Sequence, residues 1–243
     1  MNEYDVLERY IRESNYVVAL TGAGISTAAG IPDFRGEKGI YTLGIVPERV
    51  FDIDYFLRDP RPFYEFTRRM IETLEGSGPT LMHRFLAYLE EIGKLKLLVT
   101  QNIDGLHTLA GSKNVIEIHG SYRRSFCLNC GKEYDFSEVK EMILKNTVPY
   151  CSCGGLIKPD VVFFGEGVKG FEEARQHAYL SDLFLVVGSS LQVQPASLLP
   201  YFSPGKVVII NKGPVAFPRS RIDVHIDEDC ELVAEELMRR LKK

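Results

Sequence analysis

At 243 residues, 45% of them hydrophobic and 26% charged, the chain has material for one large globular domain with a small insert, and is too apolar to be disordered. A formal net charge of −4 excludes any bulk electrostatic pull toward nucleic acid or anionic lipid. With no signal-peptide core and no run of 18 apolar residues, we expect a cytoplasmic, non-membrane monomer in which five cysteines point to metal before disulfides.

Val6, Leu7, Tyr10 and Ile11 recur at helical spacing and predict an amphipathic first helix. Tyr16-Val17-Val18-Ala19-Leu20 follows, a continuous apolar run stopped by Thr21-Gly22-Ala23-Gly24, which reads as a strand buried on both faces. Residues 39–75 hold aromatics, acids, three prolines and a short helical pattern, but no buried strand. After Pro79, a helix with Leu81, Phe85, Leu89 and Ile92 on one stripe leads into a strand at Leu95–Thr100. Further strands are expected at 115–118, Leu183–Val187 and Lys206–Ile210, and a closing helix over 232–241 begins at Asp229. Strands alternating with helices predict a doubly wound, Rossmann-like α/β domain made of residues 1–38, 76–122 and 156–243. Two inserts, 39–75 (helical) and 123–155 (cysteine-bearing), are expected to form a smaller lobe. The cleft between lobes, at the C-terminal ends of the strands, is where a ligand should bind.

Three stretches carry chemistry. In Thr21-Gly22-Ala23-Gly24-Ile25-Ser26, the expected strand turns into an expected helix, where glycines and free N–H groups suit a phosphate. A dinucleotide fingerprint would place a third glycine at 27, where Thr27 stands, so a plain tight turn fits as well. The run continues to Gly30-Ile31-Pro32-Asp33-Phe34-Arg35-Gly36, with an acid, an aromatic and a base between glycines; loops bearing such side chains tend to touch ligands. Second, Thr100-Gln101-Asn102-Ile103-Asp104 leaves a strand end with amides and a carboxylate, able to bond a ribose and a carboxamide, or simply to cap a helix. Third, Cys127-Leu128-Asn129-Cys130 is followed, after 20 intervening residues, by Cys151-Ser152-Cys153, the spacing of a four-thiolate zinc site. Its second pair is one residue shorter than usual, which Gly154-Gly155 can relax; reduced spectator thiols are the alternative. Four thiolates leave no open position, so a metal here would be structural. Three lysines against four acids between Cys127 and Cys153 make no basic footprint for nucleic acid.

Taken together, Gly22-Ala23-Gly24-Ile25-Ser26 through Gly30-Ile31-Pro32-Asp33-Phe34-Arg35-Gly36 resembles the cofactor-binding segment of the sirtuins. Thr100-Gln101-Asn102-Ile103-Asp104-Gly105-Leu106-His107 and His119-Gly120 resemble the family's next two signatures, and Phe164-Gly165-Glu166 and Gly188-Ser189-Ser190-Leu191-Gln192-Val193-Gln194-Pro195-Ala196 its substrate-facing loops, all in family order. The resemblance implies an NAD-dependent protein-lysine deacetylase that consumes NAD as co-substrate and carries one structural zinc on Cys127, Cys130, Cys151 and Cys153. It implies His119 as general base, with Asn102 and Asp104 beside it in catalysis. Gly22, Ala23, Gly24, Ser26, Asp33, Phe34, Arg35, Gln101, Asn102, Ile103, Asp104, Gly188, Ser189, Ser190, Asn211 and Cys230 would line the cofactor. For Phe34 an ordinary core aromatic is the lesser alternative. Val161, Phe163, Phe164, Gly165, Glu166 and Val193 would meet the substrate, an acetyl-lysine peptide added as a β-strand between loops 165–168 and 190–194. The family's succinyl-binding pair of residues falls here on Thr67 and Met70, neither of them cationic, which implies neutral acyl groups. Arg68 and Arg69 are expected to be solvated, and His83, His107, His177 and His225 to be structural. A mono-ADP-ribosyltransferase and a catalytically silent NAD-sensing or chromatin-binding module remain alternatives.

Overall fold

A computed structural model describes residues 2–34, 36 and 39–242. The chain opens with helix α1 (Glu3–Glu13), started by a capping box in which Asn2 accepts from the Asp5 N–H and Asp5 accepts from the Asn2 N–H. Strand β1 (Val17–Thr21) follows, then two 3₁₀ turns (Ala23–Ile25 and Thr27–Ala29). Helices α2 (Ile53–Arg58), α3 (Arg61–Gly76) and α4 (Leu81–Glu91) precede strand β2 (Leu95–Thr100). The α4 cap is again reciprocal: Thr80 caps the helix, and the Thr80 N–H donates to His83 Nδ1. His83 is therefore structural, as expected.

Next come α5 (Leu106–Leu109), β3 (Val115–Glu117), β4 (Gly120–Cys127), β5 (Glu133–Asp135), α6 (Phe136–Asn146) and β6 (Ile157–Val161). Helix α7 (Phe171–Leu180), β7 (Leu183–Val187), β8 (Lys206–Ile210), β9 (Val224–Ile226) and α8 (Cys230–Leu241) complete the chain. The large sheet has the order β3-β2-β1-β7-β8-β9, with every neighbouring pair parallel. This is the doubly wound, Rossmann-like sheet the sequence predicts.

Pleating sorts the strand side chains between two faces. Val17 and Ala19 of β1, Leu183 and Leu185 of β7, and Val208 and Ile210 of β8 pack with Leu7, Ile11, Phe85, Leu86, Val233 and Leu237 of α1, α4 and α8. Val18, Leu20, Phe184, Val186, Val207 and Ile209 face the other way, against Ala174 and Ala178 of α7 and Leu199. Each fully buried aliphatic side chain is worth about 1.5–3 kcal/mol. Both faces are covered, which is why these strands read as unbroken apolar runs.

A second sheet, antiparallel in the order β5-β4-β6, makes the smaller lobe with α3 and α6. It starts at Gly120 and ends at Val161, beyond both ends of the 123–155 insert expected from the sequence. Strand β4 alternates loosely and exposes Arg123 and Arg124, so it carries no apolar run to announce it. The helical insert contains α3, 16 residues long and longer than the short pattern expected. The helix expected after Gly24 is instead the pair of 3₁₀ turns, closed by Gly30 at φ +85°.

Two glycines show how tightly the centre is packed. A Cβ on Gly188 (φ +62°) would stand 2.5 Å from Ile25 N, whereas one on Gly213 (φ +89°) would meet nothing. Gly213→Ala should therefore cost about 1–2 kcal/mol, the strain of left-handed backbone alone. Gly188→Ala should add an overpacking cost of roughly 1–3 kcal/mol. Chemical denaturation of both variants checks this; equal losses would mean the close approach at Gly188 is unimportant.

Candidate active site

The chain leaves β1 in the middle of the large sheet, and the loops after β1, β2 and β7 open at the same edge. Such a point, where the strand order reverses, is where doubly wound sheets bind ligands. Here the Gly22 N–H donates to Val187 O (3.0 Å) and the Gly24 N–H to Gly188 O (2.9 Å). A Cβ on Gly22 would lie 2.8 Å from Gly188 O, and one on Gly24 would lie 2.9 Å from Gly188 Cα. These glycines let the β1 and β7 loops touch, and their own N–H groups are turned into that contact. The expectation that they open an α-helix with free N–H groups is corrected: 3₁₀ turns are too short to aim such a set. Gln101 Nε2 donates to Ser189 Oγ (2.8 Å), tying the β2 loop to the same place. Ser190 O accepts from the Ala216 N–H (2.8 Å), and Asn211 Nδ2 donates to Lys212 O (3.2 Å) and Gly213 O (3.4 Å) at the end of β8. Cys230, first residue of α8, shares a core cluster with Ile25; burial pushes its thiol up to about 12, so it stays neutral.

Beside the glycine turn lies a buried polar chain. Asn102 Nδ2 donates to Ser26 Oγ (3.0 Å), the Ser26 hydroxyl donates to Asp104 Oδ2 (2.7 Å), and the Leu106 N–H donates to Asp104 Oδ1 (2.9 Å). Burial pushes the Asp104 carboxyl above the usual range, while these hydrogen bonds pull it back. His119 stands just after β3, with Nδ1 3.0 Å from Gln101 O. A carbonyl oxygen can only accept, so Nδ1 carries the hydrogen and Nε2 keeps its lone pair. Burial holds the imidazole below its ordinary value near 6.5, which makes it a neutral base at pH 7.

Ser26, Asn102, Ile103 and Asp104 form one wall of a cavity of about 120 Å³ that runs on between the lobes. Phe34, Phe63, Phe66, Thr67 and Met70 supply another wall, and Tyr122, Val139, Ile143 and Val161 close the far end. Among the described residues no lysine, arginine or histidine lines it. Arg68 and Arg69 are exposed on the other side of α3, as the helical geometry requires. Phe34 meets Phe51 edge-on at 6.0 Å and Tyr41 at 5.5 Å, half in the aromatic core and half on the cavity.

The four sulfurs of Cys127, Cys130, Cys151 and Cys153 lie within 4.8 Å of one another. Cys127 and Cys153 are 3.5 Å apart, and Cys130 and Cys151 are 3.7 Å apart. These distances are too long for disulfides. A zinc ion with arms of about 2.3 Å needs sulfur–sulfur edges near ~3.8 Å, so the set fits a tetrahedral metal. The short second pair works because Gly154 adopts φ +82° and because any side chain at Gly155 would strike Cys127 Sγ at 2.6 Å.

Residues 22–195 match the model of the Sir2 family. The chain belongs to the Sir2 family. It is 49% identical over 212 residues to an NAD-dependent protein deacetylase of Saccharolobus solfataricus, covering 86% of this chain and 85% of that one. A Sir2 structure holding deacetylated p53 peptide and 3′-O-acetyl ADP-ribose is 40% identical, with a TM-score of 0.93 over 97% of each chain. Another, with p53 peptide and NAD+, is 39% identical, with a TM-score of 0.91 over 100% of this chain and 99% of that one.

Within this sirtuin, Ala23, Ser26, Phe34, Asn102, Ile103, Asp104 and Val161 come together on one cavity, while Gly22, Gly24, Gly188 and Ser189 build the loop contact beside it. Arg35 lies outside the described residues. Asp33 holds its own loop, accepting from the Gly36 N–H (3.0 Å). Phe163 is 1% exposed and packs against Phe51, Phe56 and Phe63, of which Phe51 and Phe63 line the cavity. Phe164, Gly165 and Glu166 are exposed, and Val193 is partly so. Ile31, Pro32, Phe51 and Tyr122 also line the cavity; Ile31-Pro32 belongs to the loop 30–36 whose composition points to a ligand, whereas nothing in the sequence around Phe51 and Tyr122 marks them. For the metal, elemental analysis of purified protein should give about one zinc per chain. Cys153→Ser should lower that content; zinc retained in full would mean another residue completes the set.

Proposed function

We propose that this sirtuin is an NAD-dependent protein-lysine deacetylase, forming nicotinamide, O-acetyl-ADP-ribose and free lysine, with one structural zinc on its four cysteines. The observation that carries this reading is His119, held neutral by burial, with Nδ1 on the carbonyl of Gln101, the residue before the Asn102 of the Ser26, Asn102 and Asp104 chain. A silent NAD sensor has no use for a base kept in its unprotonated form. Gln101, Asn102, Ile103 and Asp104 receive the nicotinamide and its ribose, and the loops after β1, β7 and β8 take the rest of the dinucleotide. The acyl oxygen attacks the ribose carbon bearing nicotinamide, and nicotinamide leaves. His119 then draws a proton through the ribose diol, so that a ribose oxygen closes on the acyl carbon, and water completes the transfer.

The Phe164 N–H donates to Phe51 O and Phe164 O accepts from the Ile53 N–H, so this residue is committed to the helical insert. Pairing with a peptide strand falls to 165–168 and 190–194. We read the protein as a cytoplasmic monomer without nucleic-acid partners, in keeping with its net charge of −4; among the described residues no helix is long and apolar enough to cross a membrane. We also take the division into a dinucleotide domain and a two-insert small lobe as its working anatomy.

Incubation with NAD and an acetyl-lysine peptide, followed by mass spectrometry, should show nicotinamide and deacetylated peptide in equal amounts. ADP-ribose on protein with the peptide still acetylated would favour the transferase alternative. The protonated imidazole cannot act, so kcat/KM should rise with pH through an inflection below 6.5 and then level off. His119→Ala should lose roughly 10²- to 10⁴-fold in turnover while keeping NAD affinity. Near wild-type turnover in that variant would remove the assignment.

The cavity walls also set acyl choice. Thr67 and Met70 line it, and among the described residues it offers no cation to a carboxylate on the acyl chain. Acetyl-lysine should therefore exceed succinyl-lysine in kcat/KM by on order of tenfold or more, since a buried unpaired carboxylate costs several kcal/mol. A direct competition between the two forms of one peptide decides this. Equal rates would reveal a cation inside the tunnel, with Arg68 the first residue to mutate.

A further inference from the structure

Lys158 sits in β6 with its side chain 2% exposed. Among the described residues it is the one lysine or arginine that is fully buried. An ammonium has three N–H donors, and here they reach Val161 O (2.7 Å), Pro159 O (3.3 Å) and Glu166 Oε2 (2.9 Å). Nζ also lies 4.4 Å from the centre of the Phe163 ring. Burial pulls the ammonium's pKa down, and Glu166 opposes that pull.

A methionine would fill such a place in an apolar lobe with no desolvation cost, so the charge is not there for packing. Its bonds run instead to one end of β6 and to one turn. Glu166 Oε2, which receives the ammonium, also accepts from the Phe163 N–H (2.8 Å), and the Glu166 N–H donates back to Phe163 O (3.0 Å). The turn 163–166 is thus closed on a single carboxylate oxygen that Lys158 holds from below. Gly165 lies at its tip with φ +95°, followed by the strip of main chain offered to the peptide. At the other end of the same stretch, the Val162 N–H donates to His119 O (2.8 Å).

We propose that Lys158 is a positioning residue for the acyl-lysine peptide: pinned beneath the turn 163–166, it fixes Glu166 and so sets the main chain that pairs with the incoming strand. This rests on the reading of loop 165–168 as one side of the peptide site. Lys158 touches neither substrate nor cofactor and acts through Glu166.

Steady-state kinetics with an acetyl-lysine peptide and NAD, with direct peptide binding by fluorescence anisotropy, test it on the full chain. Lys158→Met should raise the peptide KM and Kd by roughly ten- to a hundredfold, the cost of a strand misplaced by about an ångström. It should leave kcat at saturating peptide and the KM for NAD within about threefold of wild type, a split expected when only ground-state binding is lost. Lys158→Arg, which keeps the charge, should restore the peptide KM. If Lys158→Met fails to fold, Glu166→Gln serves instead: it can still accept from Phe163 but breaks the ion pair, and it should raise the peptide KM in the same way. A folded Lys158→Met protein, or Glu166→Gln in its place, with peptide KM and Kd within twofold of wild type overturns the proposal. So does a parallel loss of kcat, NAD affinity and peptide affinity, the mark of a merely structural lysine. A wild-type protein that binds peptide but never deacetylates it would instead sink the deacetylase reading.

Discussion

Where β1 and β7 end, Gly24 and Gly188 bring two loops into direct contact at the centre of a six-stranded parallel sheet. With a side chain on any of Gly22, Gly24 or Gly188, the loops would have to part, and the site would part with them. Gln101 and Ser189 close the same junction from the β2 side. The polar chain of Ser26, Asn102 and Asp104 is built on this junction, because Ser26 stands two residues past Gly24 and the other two leave β2. The sheet can hold such a junction rigid because both its faces are covered, so every strand end is fixed by a packed core.

Burial does the electrostatic tuning. Asp104 and His119 lie where water is scarce, and each shifts toward its neutral form, the acid upward and the base downward. The same desolvation acts on Lys158, yet there the charge is kept by three acceptors and an aromatic face. The contrast follows from partners. Asp104 is held by hydrogen bonds with the Arg123 charge a lesser influence, His119 has a single carbonyl, and Lys158 has a carboxylate 2.9 Å away.

The small lobe depends on fewer contacts of longer range. Its cluster runs from Ile40 to Phe163 and includes Cys127 and Cys151, so the cysteine site and the aromatic core share one packing unit. A metal held by the four sulfurs would tie β4 to the segment before β6, across the sheet whose other end carries the turn 163–166. The cavity threads between this lobe and the large sheet, which makes its width depend on how the two are set together.

The large sheet was legible in the sequence because doubly covered strands must be apolar on both faces, and Val17–Thr21, Leu95–Thr100, Leu183–Val187 and Lys206–Ile210 show this without ambiguity. The four cysteines and the strand-end motifs were legible too, since ligand spacing and loop chemistry are local. Strand β4 was not, because its exposed Arg123 and Arg124 erase the apolar pattern, and only pairing with β6 makes it a strand. The packing of Phe163 was not legible for a related reason: its direction depends on the aromatic core it enters, which comes from residues 51 to 63. The tautomer of His119 needed Gln101 O, 18 residues away in the chain. The partners of Lys158 come from a turn whose shape sequence spacing does not dictate. Local composition determined which segments are buried and which loops carry chemistry, whereas the protonation state and aim of each side chain were decided by groups that only folding brings within hydrogen-bond reach.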